Sequence, residues 1–327
     1  MEYRTLGRTG FVISEVSLGT WQVGGKWGAK FDHKLADSIL NTAVDNGVNF
    51  IDTADVYGDG ESEKAVGKLV RSHADKIYVA SKCGRKISPH INENYTPEAL
   101  RGYVEASLKN MGLEQIDLIQ LHCPPTEVYY RPEIFAEFDK MIQEGKISKL
   151  GVSVEKVEEA LKAIEYSNVD TVQIIFNMFR QRPDGLFFQQ AAEKNIGIIA
   201  RVPLASGLLS GKFSRDTTFL EDDHRTFNRD GAAFDKGETF SGVDYDLGLE
   251  AVEEIRHIFP DQNLAQIAIK WVLMHPEVSC VIPGASRPEQ VDDNLATIGL
   301  PPLTDEQMAA VKKIYDHKIK AEVHQLW

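Results

Sequence analysis

Cysteine is scarce in this sequence of 327 residues. The three cysteines, Cys83, Cys123 and Cys280, lie far apart and form no C-x-x-C pair. Disulfide frameworks and zinc clusters need several closely spaced cysteines, so neither is indicated. Separated thiols in odd number are typical of a protein of the reducing cytoplasm, which is the location we expect.

Long hydrophobic runs and an excess of basic charge are also missing. No run approaches the roughly 18 apolar residues of a membrane-spanning helix, and the first ten residues are unlike an export signal. Lysine and arginine number 36 against 49 aspartates and glutamates, so the net charge is −13. Such a chain repels nucleic acid and anionic membranes, and we expect neither as a partner.

Two common phosphate-binding motifs are absent as well. The sequence contains neither G-x-G-x-x-G nor G-x-x-x-x-G-K-[ST], so a Rossmann dinucleotide turn and a P-loop are not expected. With 43% apolar and 26% charged residues, the chain can still build a large folded core.

Eight short apolar segments alternate with helical patterns along the chain. Their richness in Val, Ile and Leu predicts strands that are buried on both faces, as in a parallel sheet. The segments are residues 15–18, 49–52, 77–81, 116–121, 148–152, 171–176, 196–202 and 278–282. Helical periodicity lies between them, for example before Gly47 and between Thr96 and Gly112.

Eight strand and helix units favour a closed (β/α)₈ barrel, because an open sheet of eight strands would leave two edges. We predict one barrel domain over residues 1–327. A hairpin is expected around Gly7 and Gly10 at the amino terminus. Residues 203–244 are expected to form a long loop at the rim after the seventh strand, and residues from 303 onward an added helix and tail.

Polar residues follow most of the predicted strands. In a (β/α)₈ barrel the carboxyl ends of the strands meet at one rim, where the chemistry takes place. The polar residues at these ends are Asp52, Lys82, His122, Ser153, Asn177, Arg201 and Ser286. One such residue alone would indicate a solvated strand end or a structural ion pair, whereas seven together indicate an active site.

Several sequence segments match known signatures in order. They are LGTW at 18–21, NFIDTADVYG at 49–58, Lys82, DLIQLH at 117–122, GVS at 151–153, PLASGLLSGK at 203–212 and IPGASR at 282–287 with Gln290 and Asn294. The chain thereby resembles the aldo-keto reductases, NADPH-dependent (β/α)₈ barrels that reduce aldehydes and ketones. The resemblance covers nearly the whole chain and implies the same fold and reaction.

The resemblance implies a catalytic set of Asp52, Tyr57, Lys82 and His122. Hydride addition to a carbonyl leaves an alkoxide that needs a proton. A phenol with a pKa of about 10 delivers one more readily when a cation stabilises its phenolate. Lys82 would supply that charge, Asp52 would keep Lys82 ionised, and His122 would hydrogen-bond the carbonyl oxygen. Trp21, Tyr57 and His122 are the implied substrate contacts.

The resemblance also implies a site for NADPH or NADP. Small residues over 206–212 let backbone amides approach a pyrophosphate, and Lys212 adds charge. Ser286 and Arg287, before Pro288, would present a hydroxyl, a guanidinium and a helix start to the 2′-phosphate. The implied cofactor contacts are Gly19, Thr20, Trp21, Asp52, Ser153, Gln173, Arg201, Pro203, Leu204, Ser206, Gly207, Leu209, Gly211, Lys212, Gly284, Ser286, Arg287, Gln290 and Asn294.

Two positions depart from the family pattern. Val154 stands where many members have an asparagine that binds the nicotinamide carboxamide, so Ser153 and Gln173 are expected there instead. Arg201 stands where many members have an aromatic residue stacked on the nicotinamide. Its guanidinium is expected either to cover the ring or to turn away to a rim carboxylate or the cofactor diphosphate.

Cys83 and Cys123 follow directly after two of the implied catalytic residues. Because neighbours in a strand point to opposite faces, both thiols are expected to pack in the barrel wall. No group of histidines and carboxylates has the spacing of metal ligands, so no metal is expected.

The identity of the substrate and the oligomeric state are left open by the sequence. Trp21, Trp27 and the pair Tyr129 and Tyr130 indicate an apolar-walled pocket, although each also suits ordinary loop packing. The alternative function is that of a nicotinamide-binding regulatory subunit resembling the potassium channel β subunits, which share the barrel and the catalytic set. Multiple-turnover carbonyl reduction distinguishes the two.

Overall fold

The computed structural model describes residues 1–25 and 30–327. Its centre is an eight-stranded parallel sheet in which each strand pairs with the next along the chain. The strands are β3 (Leu18–Gly19), β4 (Phe50–Asp52), β5 (Tyr78–Cys83), β6 (Ile116–His122), β7 (Ile147–Ser153), β8 (Val169–Ile175), β9 (Gly197–Arg201) and β10 (Val278–Val281). Parallel bridges from Val16 to Val281 and from Gly19 to Gly284 join the two ends of the sheet. The predicted (β/α)₈ barrel is therefore confirmed.

A two-stranded hairpin closes the amino-terminal end of the barrel. Its antiparallel strands are β1 (Tyr3–Thr5) and β2 (Val12–Ser14), as the turn glycines predicted. Leu6 and Ile13 pack with apolar side chains of five barrel strands in a separate core cluster. The hairpin thus seals the floor, and the opposite rim is left for a site.

Helices surround the barrel, one or more after each strand. The helices are α1 (His33–Asp45), α2 (Glu61–Ser72), α3 (Pro97–Met111), α4 (Pro132–Gln143), α5 (Val157–Ala163), α6 (Leu186–Glu193), α7 (His224–Phe227), α8 (Tyr245–Ile258), α9 (Leu264–Leu273), α10 (Pro288–Leu295), α11 (Asp305–Ile314) and α12 (Lys320–Val323). Local signals set their ends: the Thr96 hydroxyl accepts a hydrogen bond from the Ala99 amide at the start of α3, and Gly112 ends it with φ of 62°.

The long segment after β9 contains short helical turns and contacts the last residue of the chain, Trp327. The indole of Trp327 covers the guanidinium of Arg180 at 3.9 Å, and its N–H donates to Asp235 Oδ1 at 2.8 Å. Arg180 is almost completely buried. Residues 235–242 are therefore held against the barrel by Trp327.

The prediction for the first barrel strand was wrong in its bounds. The expected strand covered 15–18, but β3 is only Leu18–Gly19. Residues 15–17 bond to β10 through Ser17 N to Val281 O and Val281 N to Glu15 O, while Glu15 N donates to Glu2 O in the amino-terminal segment. Gly19 is needed at this junction, because a Cβ there would lie 2.8 Å from the carbonyl oxygen of Ile282.

None of the helices within residues 1–25 and 30–327 is both long and apolar enough to cross a membrane. Trp27, which the sequence suggested for the pocket wall, lies outside the described residues.

Candidate active site

Four polar side chains meet at the carboxyl-terminal rim of the barrel, and they are the four that the sequence singled out. Lys82, near the end of β5, is buried and forms an ion pair with Asp52 Oδ1 at the end of β4. Its ammonium also donates to Thr53 O at 2.9 Å and to the Tyr57 hydroxyl at 3.4 Å. The ring of His122, which ends β6, stands edge-on to the Tyr57 ring with their centroids 6.1 Å apart.

The environment sets the protonation state of three of these groups. Burial raises the pKa of Tyr57 above its ordinary value, against the opposing charge of Lys82. Burial acts to lower the pKa of Lys82, but Asp52 and the Tyr57 oxygen outweigh it, so the pKa of Lys82 is raised. Burial, followed by the charge of Arg85, lowers the pKa of His122 well below its usual value. At neutral pH the site holds a phenol, an ammonium and a neutral imidazole.

Two glutamines hold the second oxygen of Asp52. Gln173 Nε2 donates to Asp52 Oδ2 at 2.8 Å and Gln120 Nε2 at 3.0 Å. Asp52 Oδ1 thereby stays directed at Lys82. Gln173, which the sequence suggested for the nicotinamide carboxamide, reaches the cleft while supporting Asp52.

A cleft of about 430 Å³ opens above these residues. The predicted site residues that line it are Gly19, Thr20, Trp21, Asp52, Tyr57, His122, Gln173, Arg201, Pro203, Leu204, Ser206, Gly207, Lys212, Gly284, Ser286, Gln290 and Asn294. Lys82 lies beneath the lining, against Asp52 and Tyr57. Ser153, Leu209, Gly211 and Arg287 also lie outside the lining: Ser153 is buried beside Cys123, and Leu209 is buried under the rim.

One wall of the cleft is a tight loop directly after β9. Ser206 and Gly207 have positive φ values of 56° and 93°, which turn the backbone into a concave curve. The Ser206 hydroxyl donates to the carbonyl of Glu238 at 3.1 Å and accepts from the Phe240 amide at 3.1 Å. Lys212 lines the cleft just beyond this curve. A concave backbone followed by a lysine suits a diphosphate.

The start of helix α10 forms the far end of the cleft. Pro288 occupies the first turn, as the sequence predicted, and Arg287 is the N-cap residue. The Ser286 amide and hydroxyl both donate to Gln290 Oε1, at 2.7 and 3.0 Å. The Arg287 guanidinium is half exposed and lies 3.8 Å from Glu289.

Arg201 is held by carboxylates on the side of the cleft. Its Nη2 donates to Glu155 Oε2 at 2.9 Å and to Val154 O at 3.1 Å, and its Nη1 lies 3.8 Å from Glu238 Oε2. Arg85 Nη1 donates to the other oxygen of Glu238 at 3.0 Å. The sequence left three partners open for Arg201, and in the structure it pairs with rim carboxylates.

Burial raises the pKa of Glu155 to about 8, assisted by the negative charge of Glu238 and opposed by Arg201. Burial acts to raise the pKa of Glu238 as well, but Arg85 and Arg201 outweigh it and hold the pKa at about 2. Glu155 Oε1 has no hydrogen-bond partner among the described residues, and carboxylate oxygens of Glu155 and Glu238 lie within 4.8 Å of each other. A proton on Glu155 fits this pair.

The expectation that Cys123 packs in the barrel wall was wrong, whereas Cys83 does lie in the main core. Cys123 follows β6 with φ of 46°, and its Sγ lies 3.6 Å from both Ser153 Oγ and Arg201 Nη2. Within the described part of the chain, Cys123, Glu155 and Glu238 form a group whose ligand atoms lie within 4.8 Å of one another. Arg85 and Arg201 already occupy these carboxylates, so the charge environment disfavours a cation.

The predicted aromatic wall is only partly correct. Trp21 lines the cleft, but Tyr129 is buried and Tyr130 lies exposed beneath Lys162, so neither reaches it. The wall also includes side chains that the sequence did not indicate, among them Arg85, His224, Phe234 and Glu238. Arg85 could have been found from the sequence, because it is a polar residue two positions after a strand end. The other three come from the long loop, which has no periodicity to read.

The comparisons with known proteins agree with this geometry. The model of the Aldo/keto reductase family matches residues 15–316. The glycerol dehydrogenase AKR11B4 from Gluconobacter oxydans has 30% sequence identity and a TM-score of 0.76, over 98% of this chain and 96% of that chain.

Two further relatives differ in what their names describe. An NADH-specific methylglyoxal reductase of Escherichia coli (strain K12) is 25% identical over 90% of this chain and 93% of its own length. A probable voltage-gated potassium channel subunit beta of Arabidopsis thaliana is 28% identical over 93% of both chains. The chain belongs to the aldo/keto reductase family, and its class is that of the oxidoreductases.

Proposed function

We propose that this protein reduces an aldehyde or ketone to the alcohol with NADPH as hydride donor and Tyr57 as the general acid. The observation that carries the proposal is the contact of Lys82 with both Asp52 and the Tyr57 hydroxyl in a cleft that also holds His122. Such a set suits an anionic oxygen that forms during the reaction and takes up a proton.

The protein groups divide the proton chemistry among them. Tyr57 keeps its proton at neutral pH, because the ordinary pKa of a tyrosine is about 10 and burial raises it further. When that proton moves to the alkoxide, the phenolate that remains faces the Lys82 ammonium at 3.4 Å. Asp52 balances the charge of Lys82. The neutral His122 donates a hydrogen bond to the substrate oxygen and so orients the carbonyl.

The cleft has the chemistry to hold a nicotinamide dinucleotide. The bound nucleotide supplies the hydride. The curve at Ser206 and Gly207 with Lys212 suits its diphosphate, and the group at Ser286, Gln290 and Asn294 suits its adenosine end. We infer NADPH rather than NADH from Ser286 and Arg287 at the start of α10, where a 2′-phosphate would meet a hydroxyl, a guanidinium and backbone amides.

A second candidate function is that of a nucleotide-binding regulatory subunit. The relative from Arabidopsis thaliana named as a probable potassium channel subunit beta favours it. A regulatory subunit would turn over slowly or not at all and would co-purify with a partner. We favour the enzyme, with a small carbonyl compound as its partner molecule. We propose a cytoplasmic location, because the three buried cysteines are free.

The test is to follow NADPH oxidation with a panel of aldehydes, ketones and sugars, with NADH beside it. Multiple turnovers with at least one carbonyl compound are the expected result. Turnover with NADH alone would overturn the choice of nucleotide. Tight nucleotide binding without turnover on any compound would overturn the enzymatic function in favour of the regulatory one.

A further inference from the structure

Arg85 stands on the cleft two residues after β5, the strand that carries Lys82. Its side chain is 22% exposed, and the guanidinium lies 5.7 Å from the ring of Phe234. Within residues 1–25 and 30–327 its one hydrogen-bond partner is Glu238, which accepts a hydrogen bond from Nη1 only. The other N–H groups of a five-donor fork remain for a ligand.

The charges around Arg85 do not balance near neutral pH. Glu238 is shared between Arg85 and Arg201, at 3.0 and 3.8 Å. Glu155, the second carboxyl group of the cluster, holds its proton up to a pKa of about 8. Two guanidinium groups then face one carboxylate. The excess positive charge lies on the wall of the cleft, where a ligand can neutralise it.

Arg85 also shares the cleft with His122, the residue expected to bind the substrate carbonyl. After burial, the charge of Arg85 contributes to the lowered pKa of His122. Both His122 and Arg85 line the same cleft. An anionic group on the substrate would therefore reach Arg85 while the carbonyl oxygen lies against His122 and Tyr57.

We propose that Arg85 selects the substrate and that this cleft prefers carbonyl compounds that carry a carboxylate or phosphate group a few bonds from the carbonyl. The guanidinium fork binds such a group through two parallel hydrogen bonds, and Glu238 holds the fork in place through Nη1. The inference rests on the proposed carbonyl reduction and adds to it the charge of the substrate.

The experiment compares two aldehydes of similar shape and different charge, 4-oxobutanoate and its methyl ester. We expect kcat/KM of the wild-type protein to favour the anion by about 10- to 150-fold, the range of one charge-assisted hydrogen bond. Equal values for the two aldehydes would overturn the inference while leaving the proposed reduction intact.

Three variants distinguish an effect of the Arg85 charge from a general loss of structure. Arg85→Gln should bring the ratio of the two kcat/KM values close to one. Glu238→Gln keeps an oxygen that can accept from Arg85 Nη1 but removes the negative charge, so it should increase the ratio. Arg101→Gln is the matched control: Arg101 is 24% exposed and ion-paired on the outer face of the barrel, and its loss should leave the ratio unchanged. A fall in the ratio for both Arg85→Gln and Glu238→Gln would indicate distortion of the loop and would overturn the role of Arg85.

Equilibrium binding gives a reading that does not depend on turnover. Succinate and succinamide are titrated in the presence of NADP⁺ and followed by tryptophan fluorescence, since Trp21 lines the cleft. Tighter binding of succinate that disappears in Arg85→Gln supports the inference even if no aldehyde is reduced. Equal binding of the two compounds by the wild-type protein would contradict it.

Discussion

The ammonium of Lys82 donates a hydrogen bond to the Tyr57 hydroxyl across 3.4 Å, from a buried position beneath the cleft. The distance is long for a hydrogen bond, which fits a resting phenol whose bond tightens once a phenolate forms. In the proposed reaction, Tyr57 and Lys82 therefore act together as the proton donor.

Tyr57→Phe removes the transferable proton and leaves the ring in place. We expect kcat to fall at least ~10²-fold, the lower end of what a positioned acid contributes, with nearly unchanged NADPH affinity. Steady-state kinetics and fluorescence titration measure the two quantities. Lys82→Met should be at least as damaging. Near-wild-type turnover in Tyr57→Phe would contradict the assignment of the acid.

Arg287→Ala tests the choice between NADPH and NADH. The side chain is half exposed, so we expect the loss of its proposed contact with the 2′-phosphate to weaken NADPH binding about 10-fold at low salt and less at high salt. NADH binding should not change. Arg215→Ala, at a more exposed arginine paired with Asp246, is the control. Equal affinity of the wild-type protein for both nucleotides would be inconsistent with the preference.

Glu155 makes folding stability depend on pH. Its pKa is about 8 in the folded protein against 4.5 in the unfolded chain, so the folded state binds more protons between these values. Stability from this group is present at low pH and is lost as pH rises from about 5 to 8.

Glu155→Gln imitates the protonated carboxyl group. The Tm difference between Glu155→Gln and the wild-type protein should therefore increase in favour of the variant from pH 5 to pH 8 and level off above. Thermal unfolding at several pH values measures it. A constant difference would show that Glu155 is ionised throughout.

Trp327→Ala removes the side chain that holds residues 235–242 against Arg180. A buried tryptophan lost to alanine costs about 3–5 kcal/mol of unfolding free energy. Trp327→Phe keeps a ring over Arg180 but loses the N–H bond to Asp235, and should cost about 1.5–3 kcal/mol. Tyr130→Ala, at an exposed ring, serves as control. Urea denaturation measures the unfolding free energy of the three variants. An equal loss of unfolding free energy in all of them would refute the role of Trp327.

The sequence predicts the barrel because its signals are local. Apolar runs mark strands β4 to β10, and Thr96 and Gly112 mark the ends of α3 through bonds to residues close by in the chain. The bounds of strand β3 cannot be predicted from such local signals. Only two of its residues form a ladder, and its position is set by contact with Ile282 at the other end of the barrel.

The site was predictable where polar residues stand at strand ends, as Asp52, Lys82 and His122 do. The partners of Arg201 were not, because Glu155 is 46 residues away and Glu238 belongs to an irregular loop. Pairings over such distances depend on how the loop folds back. The sequence placed Arg201 at the rim and left its direction open for this reason.

The closure of the barrel has a consequence for the order of folding on the ribosome. Arg4 in β1 donates to the carbonyl of Val278, 274 residues later, and Arg8 contacts Asp170, 162 residues later. At a synthesis rate of about 5–20 residues per second, roughly 15–55 seconds pass between the synthesis of Arg4 and that of Val278. During that time the apolar Leu6 and Ile13 lack Ile199 and Cys280, two of the side chains that cover them in the folded protein. The amino-terminal hairpin can therefore complete its packing only after almost the whole barrel has been synthesised.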